Sequence, residues 1–310
     1  MKPFIFLLAL CLALTGLRKA AAHPGSGITV DEHGQVFFTD TGSGVWRVDQ
    51  RGQLTQISKS AMHWMAYDKD GRFSEAPDEF GEWFGRLTLK GQKPTLISCS
   101  DFPCAVGKDG NLYYAKMHSL TIVRRTPAGT ETVLVSPTSF GIDGNRPVGV
   151  NGMAAGEDGA LYLVSLESLN RTEGSGEHRL YVVSMDGSPR MIAKNFAPNL
   201  LPVAEQHPEV RPQYCRGMTV DHQGNVFIAV TGSRCVIKVT PQSETTVVLN
   251  ANKPWSPTGV DVFNGDLYVL EYDDETPAEG RNWPPRVRRM KKDGTITTIA
   301  SLRGPKNNQP

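Results

Sequence analysis

The chain alternates apolar and polar positions in short runs rather than in helical stripes. A representative unit is "GMTVDHQGNVFIAV", residues 217–230. An apolar run leads into a turn carrying Asp or Asn and Gly. A second run follows, rich in aromatic and β-branched residues. Period-two alternation on both sides of a Gly turn predicts a β-hairpin. Further copies begin at Gly27 ("GITVDEHGQVFFTD"), Trp64 ("WMAYDKDGRF"), Cys104 ("CAVGKDGNLYYA"), Gly152 ("GMAAGEDGALYLV") and Gly259 ("GVDVFNGDLYVL"). Third and fourth strands are predicted from segments such as "GVWRVDQRGQLTQI", "LYVVSMDGSPRMIA" and "RVRRMKKDGTITTIA".

The units return about every 40 residues, the period of a four-stranded propeller blade. Six blades are predicted, starting near Ser26, Ala61, Asp101, Val148, Tyr214 and Trp255. The expected fold is therefore all-β: a six-bladed β-propeller of four-stranded antiparallel blades over residues 23–304, with 305–310 as a disordered tail. Stacking blades buries faces that one blade cannot bury alone, and radial repetition leaves only short edges. Blade two is the weakest copy, because its second strand has no clear place.

Charge and the N-terminus change this picture in two ways. Lys+Arg 33 against Asp+Glu 32 gives a net charge of +1, which offers no footprint for nucleic acid. The first residues read "MKPFIFLLALCLALTGLRKAAA". A basic Lys2, an apolar run and three small alanines predict a signal peptide over 1–22. The expectation is a secreted or periplasmic protein with no integral membrane segment after cleavage, and a monomer. An oxidising compartment permits disulfides. Cys99 and Cys104 in "CSDFPC" can close a short loop. Cys215 and Cys235, inside one repeat unit, are a second candidate pair.

In an antiparallel meander the start of strand one and the end of strand two share a face. The long insertions, 73–82, 167–178, 195–213 and 272–285, all fall on that face, where loops on a rigid scaffold often carry function. Aligning the copies on the turn Gly places Ser26, His63, Phe102, Asn151, Arg216 and, with a one-residue gap, Thr258 around the channel mouth. The ends of the second strands add Asp40, Lys116, Ser165, Val230 and Glu271. Arg216 is a fixed cation with a planar donor fork suited to carboxylate or phosphate. His63 has the chemistry of a general acid or base near neutral pH, and Asp40 and Glu271 are placed to orient either one. Ser26, Asn151 and Lys116 are candidate ligand contacts. Trp255 in "PWSPTG" is a candidate pocket floor. Each also has a structural reading: Arg216 as the ion-pair partner of Asp40 or Glu271, His63 packed beside Trp64, and Trp255 as blade packing.

The "D-x-x-G-N-V/L-Y/F" turns resemble NHL repeats. The whole mature chain resembles the exported six-bladed NHL and SMP-30/gluconolactonase-like propellers. These folds host lactonases, phosphotriesterases, lyases and non-catalytic binders. In the SMP-30/gluconolactonase family a metal is held by a first-blade Glu, an Asn in an "N-G" motif and an Asp in a "D-G-M" motif. Here "VNGM" supplies Asn151, "PGSGI" supplies no Glu, and "RGM" puts Arg216 in the place of the Asp. A divalent metal, Ca or Zn, is thus a candidate cofactor that would meet one family ligand, Asn151. Some propeller lyases use channel-mouth histidines with a divalent ion, which adds His118 and His178. Two readings stand: a propeller that binds a small anionic molecule or a protein partner on the insert-bearing face, and a hydrolase or lyase working through His63, Arg216, Asp40 and Glu271.

Overall fold

The computed structural model describes residues 24–302 except 61, 77–83, 90–92, 101, 117–118, 143–147, 169–175, 197–214 and 275–282. The proposed signal peptide, the C-terminal tail and His118 lie outside the described residues. The chain folds into six antiparallel sheets, one per predicted blade. Blade one holds β1 (Ile28–Val30), β2 (Val36–Asp40), β3 (Gly44–Val48) and β4 (Leu54–Ser58). Blade two holds β5 (Trp64–Asp68), β6 (Phe84–Thr88) and β7 (Thr95–Cys99). Blade three holds β8 (Cys104–Val106), β9 (Leu112–Ala115), β10 (Ile122–Arg125) and β11 (Glu131–Val135). Blade four holds β12 (Val148–Ala155), β13 (Leu161–Ser168), β14 (Gly176–Val183) and β15 (Pro189–Lys194). Blade five holds β16 (Cys215–Val220), β17 (Val226–Val230), β18 (Cys235–Val239) and β19 (Thr245–Asn250). Blade six holds β20 (Trp255–Phe263), β21 (Asp266–Asp273), β22 (Pro285–Met290) and β23 (Ile296–Ser301).

The turn residues explain the repeat. In blade five, Asp221 Oδ1 accepts from the amides of Gln223 and Asn225, both at 2.9 Å, and Gly224 takes a left-handed φ of 77°. A short Asx side chain that caps its own turn, followed by a residue able to adopt positive φ, is what this hairpin needs. In blades three and four a Gly stands at the Asp221 position, and the Asp directly before the turn Gly does the capping. Asp109 and Asp158 accept from the amides of Asn111 and Ala160, and from the hydroxyls of Tyr113 and Tyr162 at 2.6 and 2.9 Å, which pins one aromatic of the second strand. Blade six uses a tighter turn. Asn264 and Gly265 both have positive φ, 51° and 77°, the pattern of a two-residue primed hairpin. That shorter turn accounts for the one-residue gap in the alignment.

Blade two departs from the meander. Its strand order is β5-β7-β6, so the last strand in sequence pairs directly with the first. Among the described residues, the segment after β5 does not run back as a second strand. It turns at residues 72–75 and buries Phe73 completely. Arg86 of β6 donates to the carbonyls of Phe73 (3.0 Å) and Ala76, tying the insert to the outer strand. β7 is the apolar strand, with Leu96 and Ile97 almost fully buried, and it takes the sandwiched middle position.

The core lies between blades. One cluster joins Ile28, Val30 and Phe38 of blade one to Tyr268, Leu270 and Tyr272 of blade six. Among the described residues both blades are built from contiguous chain, and they meet by packing with no exchanged strand. β1 is an inner edge strand, and an edge leaves backbone N–H groups to be satisfied. Asp261 of blade six accepts from Val30 N at 2.8 Å and from Thr219 Oγ1 of blade five at 3.0 Å. Tyr272 donates across the same seam to Thr39 O at 2.7 Å.

Cys99 and Cys104 form a disulfide between β7 and β8. Cys215 and Cys235 do not pair. Val230 of β17 is in register with both and separates them. Both remain buried thiols, and burial pushes Cys235 up to about 12. Among the described residues, no helix is long and apolar enough to cross a membrane.

Candidate functional site at the channel mouth

Three of the predicted ring residues sit in β-bulges. Strand register shifts between Val150 and Gly152, between Cys215 and Met218, and between Pro257 and Gly259. Asn151, Arg216 and Thr258 occupy these breaks in blades four, five and six. A bulge leaves an extra residue outside the ladder and re-aims its side chain. The glycine after each one has a steric reason. A Cβ on Gly217 would stand 2.7 Å from Gly259 Cα and 2.9 Å from Thr258 O. On Gly259 it would meet Ser26 O at 2.5 Å, and on Gly152 Arg216 O at 2.5 Å. The inner strands therefore approach backbone to backbone. On the other flank, Ser26 N donates to His63 O at 2.6 Å. The contacts order five ring residues as Asn151, Arg216, Thr258, Ser26 and His63. Phe102 is packed instead, with ring centroids 5.4 Å from Phe84 and 5.5 Å from Tyr114.

The lining is polar and incompletely satisfied. Ser26, Thr258 and Ser165 are 4%, 0% and 0% exposed. Their hydroxyls, with Asn151 Nδ2, are buried and have no hydrogen-bond partner among the described residues. Ser165 lies beside Val150 in the register, next to the Asn151 bulge. A buried hydroxyl left without a partner costs about 1–3 kcal/mol.

Arg216 is half-buried. Tyr272 lies within the field of both Arg216 and Asp40: burial first, and then the Asp40 carboxylate, raise its phenol, while Arg216 works against them. Tyr272, which directly follows Glu271, is packed in the seam between blades one and six. His63 is half-buried, with Nδ1 3.0 Å from Ser100 O.

Other expected site residues have different partners. Glu271 is fully buried and held by Arg286 Nε at 2.6 Å and by Arg288. It is occupied within blade six, because the neighbouring strand β22 presents both guanidinium groups to it. Asp40 caps the turn after β2, accepting from Gly42 N at 3.2 Å and from Ser43 Oγ. Trp255 is buried beneath the Arg286 guanidinium, 4.1 Å from its ring centroid, and is a packing platform rather than a pocket floor. His178 is buried on β14, where Nε2 faces Cys215 N at 3.5 Å and the ring packs against Phe196. That places it in the seam between blades four and five, beside the residue that precedes Arg216. Lys116 is exposed on a turn. The alignment also missed Arg234, buried with φ 51°, which pairs with Asp274 at 2.9 Å and donates to Trp255 O at 3.1 Å. Its position in "GSRCV" carries no periodic signal.

The residues at the family's metal positions do not suit a divalent cation. They offer one carboxamide, Asn151, with a guanidinium, Arg216, where a carboxylate would be needed, and "PGSGI" adds no carboxylate. Among the described residues, no group of three or more His, Cys, Asp or Glu converges on one point.

No family model and no curated protein matches the chain. Solved structures do. The PQQ-bound aldose sugar dehydrogenase of Streptomyces coelicolor is 14% identical, covering 88% of this chain and 96% of its own, with a TM-score of 0.51. The likeness is one of fold. Virginiamycin B lyase from Staphylococcus aureus (14% identity, 91% and 85% covered, TM-score 0.48) is a further match. So is the calcium-binding protein regucalcin from Agrobacterium tumefaciens (13% identity, 90% and 73% covered, TM-score 0.45).

Proposed function

We propose that the chain is an exported propeller that binds a small anionic molecule at the channel mouth. The observation that carries this reading is the set of buried hydroxyls, Ser26, Thr258 and Ser165, grouped around the Arg216 bulge without partners among the described residues. A guanidinium supplies charge and a planar fork, and hydroxyls can donate to the remaining oxygens of a carboxylate or phosphate. A cation is disfavoured at the same place, because Arg216 would repel it.

Thermal unfolding of the mature chain in inorganic phosphate and in citrate, at fixed ionic strength, tests the reading. Tm rises with one of these anions in the wild type, and Arg216→Gln removes at least nine-tenths of that rise. An equal response from Arg216→Gln, or no response to either anion, overturns it. Arg216→Lys separates charge from fork geometry: a response as weak as that of Arg216→Gln indicates bidentate recognition.

A second reading, hydrolysis or elimination on the bound anion, is favoured by one observation. Ser100 O accepts from His63 Nδ1, which makes Nε2 the basic nitrogen of the neutral ring. In this reading His63→Gln leaves anion binding intact and removes turnover. Unchanged turnover would sink it.

A further inference from the structure

Blade two is the irregular blade, yet its ring residue, His63, is held from two directions. Its main chain is fixed from blade one, where His63 O accepts from Ser26 N at 2.6 Å and Gly27 N at 2.9 Å. Its imidazole is fixed from the opposite side by Ser100 O, 3.0 Å from Nδ1. Ser100 lies in the short loop between β7 and β8, and the Cys99–Cys104 disulfide closes that loop. Cys99 is in register with Trp64, the residue after His63, and with Phe84 on the other side. Phe102, inside the same loop, is wedged against Phe84 and Tyr114. The loop is therefore anchored at its ends by a covalent bond and at its middle by aromatic packing. Both sulfurs are buried, Cys99 at 0% and Cys104 at 5% exposure.

A carbonyl oxygen only accepts. Facing it, the neutral imidazole must carry its proton on Nδ1 and present Nε2 as the acceptor. We propose that the Cys99–Cys104 disulfide is a positioning element for His63: by fixing the Ser100 carbonyl, it dictates which ring nitrogen is basic at the channel mouth. The disulfide touches no guest itself. It acts through the loop, and it ties the ring position of blade two to that of blade three without a bulge or a motif glycine.

The test is nitrogen–proton correlation NMR of the histidine rings in the full mature chain, with His63 assigned by its loss in His63→Gln. The wild type shows His63 as the Nδ1–H tautomer. In Cys99→Ser/Cys104→Ser, and in the single variant Cys104→Ala, His63 loses that signature and its titration midpoint moves, while His33 and His222 stay in place. A folded variant that keeps the Nδ1–H tautomer and the wild-type midpoint overturns the proposal and leaves the disulfide a stabilising crosslink only. If neither variant folds, the same spectrum is taken on wild-type protein reduced with a phosphine under native conditions. Wild-type His63 with its proton on Nε2 overturns the proposal whatever the variants do. No ligand enters this readout, so its failure leaves the anion-binding reading standing.

Discussion

The two halves of the mouth are built differently. From blade four through blade six, each ring residue sits in a bulge followed by a glycine, and the inner strands meet backbone to backbone. At blades two and three there is no such device. His63 is held by a carbonyl in a disulfide-closed loop, Phe102 is buried among aromatics, and the strand order of blade two is altered. Where the repeat is intact, geometry repeats and only the side chain varies. Where it is broken, a crosslink and an arginine, Arg86, take over the positioning. The repeating half carries Arg216 and the polar groups of Asn151, Ser165 and Thr258 that have no partner among the described residues. The irregular half carries the titratable ring of His63.

The comparison breaks most severely at Glu271. Glu271→Ala leaves Arg286 and Arg288 facing an empty buried position, so unfolding in urea should show a loss of about 3–5 kcal/mol. Glu271→Gln, which keeps two hydrogen-bonding atoms, should cost less. A cost below about 1 kcal/mol for the alanine variant would mean that the pair of ion pairs is not what holds blade six. Gly217→Ala is next. Its Cβ meets backbone rather than a flexible side chain, and overpacking of this kind costs about 1–3 kcal/mol. Gly52, where an added Cβ would meet nothing within 4 Å, has no such neighbour to displace. Its positive φ of 77° still charges alanine a conformational penalty of about 1 kcal/mol. Equal costs at the two glycines would remove the close-approach argument.

The smallest expected effect lies on the irregular side. Tyr67 OH donates to Glu32 at 2.6 Å, bridging blades two and one, and this bond holds the Glu32 carboxyl below its usual range. A lowered value in the folded state adds stability above the unfolded value, and that stability is lost as pH falls through the folded one. Tyr67→Phe should therefore flatten the acid limb of the stability profile while shifting Tm only slightly at neutral pH. An acid limb identical to wild type would show that the bond contributes nothing, as many exposed polar pairs do.

Much of this molecule is legible in one dimension. Strand alternation, the Asp-to-Gly turn and the repeat period are local properties, set within a few residues by backbone sterics and short side-chain caps. They determined six blades, their boundaries, and the ring of Ser26, His63, Asn151, Arg216 and Thr258. The tertiary structure decided who meets whom. Asp261 and Val30 are 231 residues apart, and Tyr272 and Thr39 are 233 apart, so nothing local sets the ring seam. Glu271 meets Arg286 and Arg288 because a strand register fixed by apolar packing brings those guanidinium groups alongside it. β7 displaces β6 from the middle of blade two because the middle position is buried on both faces and β7 is the more apolar strand. Polar partnership follows from where apolar surface is buried, and that burial is settled only when the blades close into a ring.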